Sequence, residues 1–315
     1  MHKTSIIQYL PLTRPKATRR LIKKLDLSGI MSILDLEDSA QDPFDMVKTQ
    51  QLKEEARHGL VSISNKYNWN ITSKIFVRLN ATDTEYFEKD VEAVIKASQN
   101  MPISGVFIPK VEHYSQVKLV ESLLSIADIK INIVLMVETV KGMKNISKIL
   151  EEDVTNNRFK YVHYGHFDYC LNADIWPFTD PRHAIFWKDV RYLAGLSIRY
   201  DKTYIHTPFP FPKDVQLFWA SNIYIMKLFS QDDVWISTLN AELSLSNKPD
   251  KSIALDFIEI DLSKKNLVKD AKNICYDFLN GRANKRSFSL SKDKFIPPHQ
   301  FFAAKKFLEN SKRYE

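Results

Sequence analysis

Seven glycines in 315 residues are few. Neither GxGxxG nor GxxxxGK followed by Ser or Thr occurs, so the glycine-rich backbone cradles that hold nucleotide phosphates have no sequence from which to form. Cysteine is scarcer still. Cys170 and Cys275 stand without CxxC spacing, which excludes a disulfide framework and suits a reducing, cytoplasmic setting. The longest strongly apolar run, residues 133–137, falls far short of the roughly 20 residues that cross a bilayer. Near the start, Lys3 is followed by a short apolar run broken by Gln8 and Pro11, unlike a secretory leader. Lys and Arg exceed Asp and Glu by 45 to 38, but the excess is dispersed. No basic stripe interleaved with aromatics marks a nucleic-acid surface.

What the chain does have is a recurring unit. Apolar runs suited to strands end in polar or charged groups: Ile33-Leu34-Asp35-Leu36-Glu37-Asp38, Ile75-Phe76-Val77-Arg78-Leu79-Asn80, Val106-Phe107-Ile108-Pro109-Lys110, Ile133-Val134-Leu135-Met136-Val137-Glu138 and Tyr161-Val162-His163-Tyr164-Gly165-His166-Phe167-Asp168. Helical periodicity fills the gaps, as at Phe87, Val91, Val94 and Ile95. Strands are expected at 5–10, 31–34, 75–79, 105–108, 131–137, 159–163, 203–206 and 234–236. Nearly continuous apolar strands alternating with helices imply a parallel sheet covered on both faces. Eight such units favour closure into a (β/α)8 TIM barrel over residues 1–240, with 241–315 as a C-terminal helical extension on the barrel or a neighbouring subunit. In such a barrel all the terminal polar groups collect on one rim, where the chemistry resides.

Glu138 and Asp168 end consecutive strands, and neighbouring strands lie about 5 Å apart. Two carboxylates that close need a cation, and Mg²⁺ suits them. Arg78 closes an apolar strand, where a guanidinium is costly without an anion; it fits a substrate carboxylate or enolate oxygen, or an internal partner in Asp35 or Glu37. Glu37 is expected to order the metal's water shell, and Asp38 to cap the next turn or join it. Lys110 is a candidate contact for a substrate anion, as are Arg182 and Arg191 if the substrate is a phosphorylated aldehyde. His163, His166 and His206 carry the residue type for metal ligation or proton transfer, but lone histidines at strand ends are more often structural.

These segments resemble the HpcH/HpaI aldolase and citrate lyase β-subunit family, often described as CoA ester lyases. The resemblance begins at Tyr9-Leu10-Pro11-Leu12-Thr13-Arg14-Pro15. It continues through Leu34-Asp35-Leu36-Glu37-Asp38, Val77-Arg78-Leu79-Asn80, Ile108-Pro109-Lys110, Val137-Glu138-Thr139 and Gly165-His166-Phe167-Asp168. It implies Mg²⁺ on Glu138 and Asp168, and Arg78 as the substrate-orienting cation. The implied reaction makes or breaks a carbon–carbon bond beside the carbonyl of a small oxo-acid or an acyl-CoA, in a homo-oligomer, often a trimer. Departures are specific. Leu12 stands where the family has Gly, Phe167 replaces the acid before Asp168, and Asn172 replaces a later acid. The late Gly-Lys and Ile-His-Pro stretch has no counterpart, although residues 288–299 resemble the family's terminal segment in its acyl-CoA lyase branch. These departures keep open a barrel that has lost catalysis and serves as an assembly subunit, and an aldolase for a sugar-derived aldehyde.

Overall fold

Side-chain parity along eight strands organises the molecule. The computed structural model describes residues 5–65, 69–230, 232–247, 253–283, 289–291 and 294–312. The strands are β1 (Ile6–Pro11), β2 (Met31–Asp35), β3 (Ile75–Arg78), β4 (Ile103–Ile108), β5 (Asn132–Val137), β6 (Tyr161–Tyr164), β7 (Thr203–His206) and β8 (Val234–Thr238). All pair in parallel in chain order, and β8 closes on β1 with Ile6 opposite Ile236. This is the (β/α)8 barrel that the alternating pattern implies. Odd and even positions of each strand face opposite sides. One set, including Ile7, Tyr9, Ile33, Phe76, Phe107, Met136, Tyr161 and Trp235, fills the lumen. The other, including Leu10, Leu34, Val77, Val106, Leu135 and Val162, packs outward against helix residues such as Ile22, Val94, Val120, Ile146 and Val190. Gly105 on β4 makes room for this filling, since a Cβ there would lie 2.9 Å from the Phe76 ring and 2.5 Å from the Asn132 carbonyl oxygen.

The surrounding helices are α1 (Pro15–Leu27), α2 (Met46–Asn65), α3 (Phe87–Ser98), α4 (Tyr114–Ile126), α5 (Val140–Asp153), α6 (His166–Asn172), α7 (Phe186–Arg199) and α8 (Val215–Leu228). Pro15 opens α1, where its missing N–H costs nothing. Thr139 caps α5 by accepting from the Gly142 N–H at 2.9 Å, and Asp214 caps α8 through the Leu217 N–H. α3 starts at Phe87 rather than Thr84 because residues 84–87 form a turn first. α6 is too short to show periodicity in sequence, and it carries Asp168. None of the described helices is long and apolar enough to cross a membrane.

Beyond β8, the short α9 (Ala241–Leu245) is tied to β1 by Ser244 Oγ donating to Gln8 Oε1. α10 (Lys264–Ala283), the antiparallel pair β9 (Ser289–Ser291) and β10 (Lys294–Ile296), and α11 (Pro298–Lys312) follow. This tail rests on the barrel of its own chain. The Phe295 N–H donates to the Pro210 carbonyl at 2.8 Å, and Phe301 and Phe302 each meet the Phe44 ring at 5.5 Å. Trp176 stacks on Phe307 at 6.1 Å.

Candidate active site

Parity also decides which polar groups reach the mouth of the lumen. Residues 31, 33 and 35 of β2, 76 and 78 of β3, and 134, 136 and 138 of β5 and its extension share the inward phase. Asp35, Arg78 and Glu138 therefore stand above the Phe76 and Phe107 layer, on the C-terminal rim. β2 and β3 pair with Asp35 opposite Arg78. Arg78 Nε and Nη2 each donate to one Asp35 oxygen at 2.7 Å. Burial opposes ionisation of Asp35, but the Arg78 guanidinium and the Glu37 and Ser39 N–H groups outweigh it and hold its carboxyl at about 2. Arg78 Nη1 donates to Asp38 Oδ2 at 2.9 Å. It also lies 2.9 Å from Glu37 Oε2, a close ionic contact without the alignment of a hydrogen bond. The internal pair and the rim position thus coexist in one side chain.

Lys110 reaches the same spot from the loop after β4. Its backbone has φ 54°, a left-handed turn uncommon outside glycine. That turn aims its N–H at Glu138 Oε1, 2.9 Å away. Its Nζ lies 2.8 Å from Glu37 Oε1 and 3.4 Å from Asp168 Oδ1. The Glu37 charge, against the opposing effect of burial, keeps the amine protonated well above its ordinary range.

Glu138 is 1% exposed, and its Oε2 has no hydrogen-bond partner among the described residues. β5 and β6 pair with Val137 opposite Tyr164, which sets Glu138 beside Gly165. A Cβ on Gly165 would fall 2.1 Å from Glu138 Oε2, so only glycine leaves the carboxylate its place. Burial first, then the nearby charges of Asp168 and Glu37, push Glu138 well above the ordinary carboxylate range. Asp168 goes the other way. Burial would raise it, but His299 and Lys110 hold it well below its usual value.

His299 was not legible as a site residue. It sits in the first turn of α11, with Nε2 at 3.2 Å from Asp168 Oδ2 and 3.9 Å from Asp38 Oδ1. Asp38, Asp168 and His299 each offer a ligand atom within 4.8 Å of the others. The expected site residues Glu37, Arg78, Lys110, Glu138 and Asp168 are brought together, and Asp35, Asp38 and His299 join them. Carboxylates outnumber the cationic side chains in this mouth, which is the donor chemistry of a hard divalent cation.

The other histidines lie elsewhere. His163 faces the lumen below the mouth, where its Nε2 is 3.0 Å from Tyr9 Oη. His166 is buried with Nε2 at 2.8 Å from the Thr179 carbonyl. His206 has the outward parity and stacks on Trp187 at 5.6 Å. Arg182 is held by Asp180 at 2.9 Å, and Arg191 on α7 meets the Tyr224 hydroxyl; neither contacts the carboxylate cluster. Phe167, in place of the family's acid, packs against Phe295 of the tail at 6.2 Å. Asn172 Oδ1 accepts from the Val140 N–H at 2.8 Å.

A family model described as HpcH/HpaI aldolase/citrate lyase matches residues 8–175. Among solved structures, a citrate lyase from Burkholderia xenovorans LB400 aligns with TM-score 0.62 and 13% identity, over 100% of this chain and 93% of that one. The citrate lyase beta subunit of M. tuberculosis complexed with oxaloacetate and magnesium aligns with TM-score 0.56 and 18% identity, over 76% of this chain and 93% of that one. The protein CitE of M. tuberculosis in complex with magnesium, acetoacetate and coenzyme A aligns with TM-score 0.57 and 16% identity, over 98% of each. At such identities the structural likeness speaks for the fold. No curated protein sequence matches the chain.

Proposed function

The chain belongs to the HpcH/HpaI aldolase/citrate lyase family of carbon–carbon lyases, and on that premise we propose that it cleaves or forms a carbon–carbon bond beside the carbonyl of a small oxo-acid or acyl thioester, with Mg²⁺ at the barrel mouth. One observation carries the reading: Glu138 Oε2 is buried without a hydrogen-bond partner among the described residues, against Gly165 at the head of the helix that bears Asp168. An unpaired buried carboxylate oxygen is expensive, and a cation between these two acids resolves the expense. Glu138 and Asp168 would hold the ion. Oxaloacetate and acetoacetate, bound together with magnesium in two of the similar structures, are of the proposed substrate class.

When bound, the metal supplies Lewis-acid stabilisation of negative charge developing on the substrate carbonyl oxygen. The chain's own groups do the rest. Asp35 fixes the plane of the Arg78 guanidinium through two of its five N–H donors. An Nη N–H that neither Asp35 nor Asp38 engages then meets a substrate carboxylate or enolate oxygen without having to reorient, and such preorganised donors stabilise charge as it forms. Lys110 Nζ, at the most exposed point of the cluster, binds the substrate's second anionic group as a protonated amine. Glu37 Oε1 anchors that amine at 2.8 Å.

Calorimetric titration of Mg²⁺ in the presence of oxaloacetate or pyruvate tests this. Saturable metal-dependent binding is expected, lost in Asp168→Ala and Glu138→Ala while the circular dichroism spectrum is retained. Oxo-acid binding that ignores both metal and the two substitutions sinks the proposal.

A further inference from the structure

We propose that His299 is a nitrogen ligand of the divalent-metal site, acting with Asp38 and Asp168, and that this ligand set gives the site a preference for Mn²⁺ or Co²⁺ over Mg²⁺. The inference rests on the reading that a metal occupies the barrel mouth, and assigns it a donor from outside the barrel.

Three observations meet at this point. His299 Nε2 lies 3.2 Å from Asp168 Oδ2 and 3.9 Å from Asp38 Oδ1, and all three ligand atoms fall within 4.8 Å of one another. Ligands of a six-coordinate ion with bonds of about 2.1 Å stand about 3 Å apart when adjacent and about 4.2 Å apart when opposite, so the set needs little contraction. Secondly, Glu138 is 1% exposed, and its Oε2, without a hydrogen-bond partner among the described residues, lies against Gly165 at the head of the helix carrying Asp168. A further oxygen donor therefore stands at that helix head, outside the group of three.

Thirdly, the position of His299 is imposed rather than incidental. Phe44, on the segment that follows Asp38, contacts Phe301 and Phe302. Phe167, next to Asp168, contacts Phe295. The two segments that supply the carboxylates thus also grip the tail on either side of His299. His299 Nδ1 has no partner among the described residues, so it is free to keep the ring's proton when Nε2 holds a cation.

Imidazole is a poor donor for Mg²⁺, which prefers an all-oxygen shell, and a better one for Mn²⁺ and still more for Co²⁺. A site of carboxylates alone would discriminate less between them.

The test is Mn²⁺ added to the full chain and read by electron spin-echo envelope modulation. An imidazole nitrogen coupling is expected in the wild-type protein and absent in His299→Gln, along with a fall of about tenfold in the Mn²⁺-to-Mg²⁺ affinity ratio. Isotopically labelled histidine in the unmutated chain reads the same coupling without relying on the variant's folding; the coupling must change with the label. Mn²⁺ bound with no histidine coupling overturns the assignment of His299 but leaves a metal at the mouth. Absence of any Mn²⁺ or Mg²⁺ binding overturns both.

Discussion

Arg78 and Asp35 meet fork to fork, two parallel hydrogen bonds of 2.7 Å joining adjacent strands at the barrel rim. Both side chains are more than nine-tenths buried, so each would be a liability without the other. Asp35→Asn is expected to destabilise the fold by about 3–5 kcal/mol, the usual cost of breaking a buried pair, measured by urea unfolding. A loss below about 1 kcal/mol would show that Glu37 and Asp38 suffice to neutralise Arg78.

Glu138→Gln should separate stability from activity. In the metal-free protein the buried carboxyl suffers from Asp168 and Glu37, and an amide removes that repulsion. Melting in chelator is expected to show a variant at least as stable as the wild type, by up to about 1 kcal/mol, with turnover abolished. A destabilised variant would mean that Glu138 is held by contacts other than those described.

Lys110→Ala should affect metal and substrate in opposite directions. Removing a cation 3.4 Å from Asp168 Oδ1 deepens the negative potential at the mouth, so the Mg²⁺ dissociation constant is expected to fall. The KM for an oxo-acid is expected to rise at least about tenfold, the loss of one charge-assisted hydrogen bond. Parallel weakening of both would contradict the assignment of Lys110 to the substrate.

Acid should destabilise the chain through buried histidines outside the carboxylate cluster. Burial lowers His163 and His206 to about 3 from an ordinary 6.5. Both are neutral when folded and take up a proton on unfolding below pH 6.5. Their stabilisation is complete above that pH and is lost as pH falls towards 3, by up to about 1.4 kcal/mol per pH unit for each. Unfolding free energies between pH 7 and 4 should therefore fall less steeply in His206→Phe than in the wild type, and equal slopes would refute the point.

Much of this was legible because a parallel barrel turns a one-dimensional rule into a place. Each apolar run ended in a polar group, and strand parity carried Asp35, Arg78 and Glu138 to one rim. The same parity, once the register is known, sends His206 outward onto Trp187, which a strand-end position alone does not tell. His299 was hidden for a different reason. Its approach to Asp168 depends on a tail docking through Phe44, Phe301 and Phe302, contacts with no periodicity to announce them. α6 was missed because seven residues are barely two turns.

The docking of α11 also fixes an order in time. The barrel can close once β8 has paired with β1, but His299 is made sixty-one residues after Thr238. At about 5–20 residues per second of synthesis, the tail follows by roughly 3–12 s. During that interval a nascent barrel carries its acids at an open mouth, and the histidine that faces Asp168 is among the last parts of the site to be made.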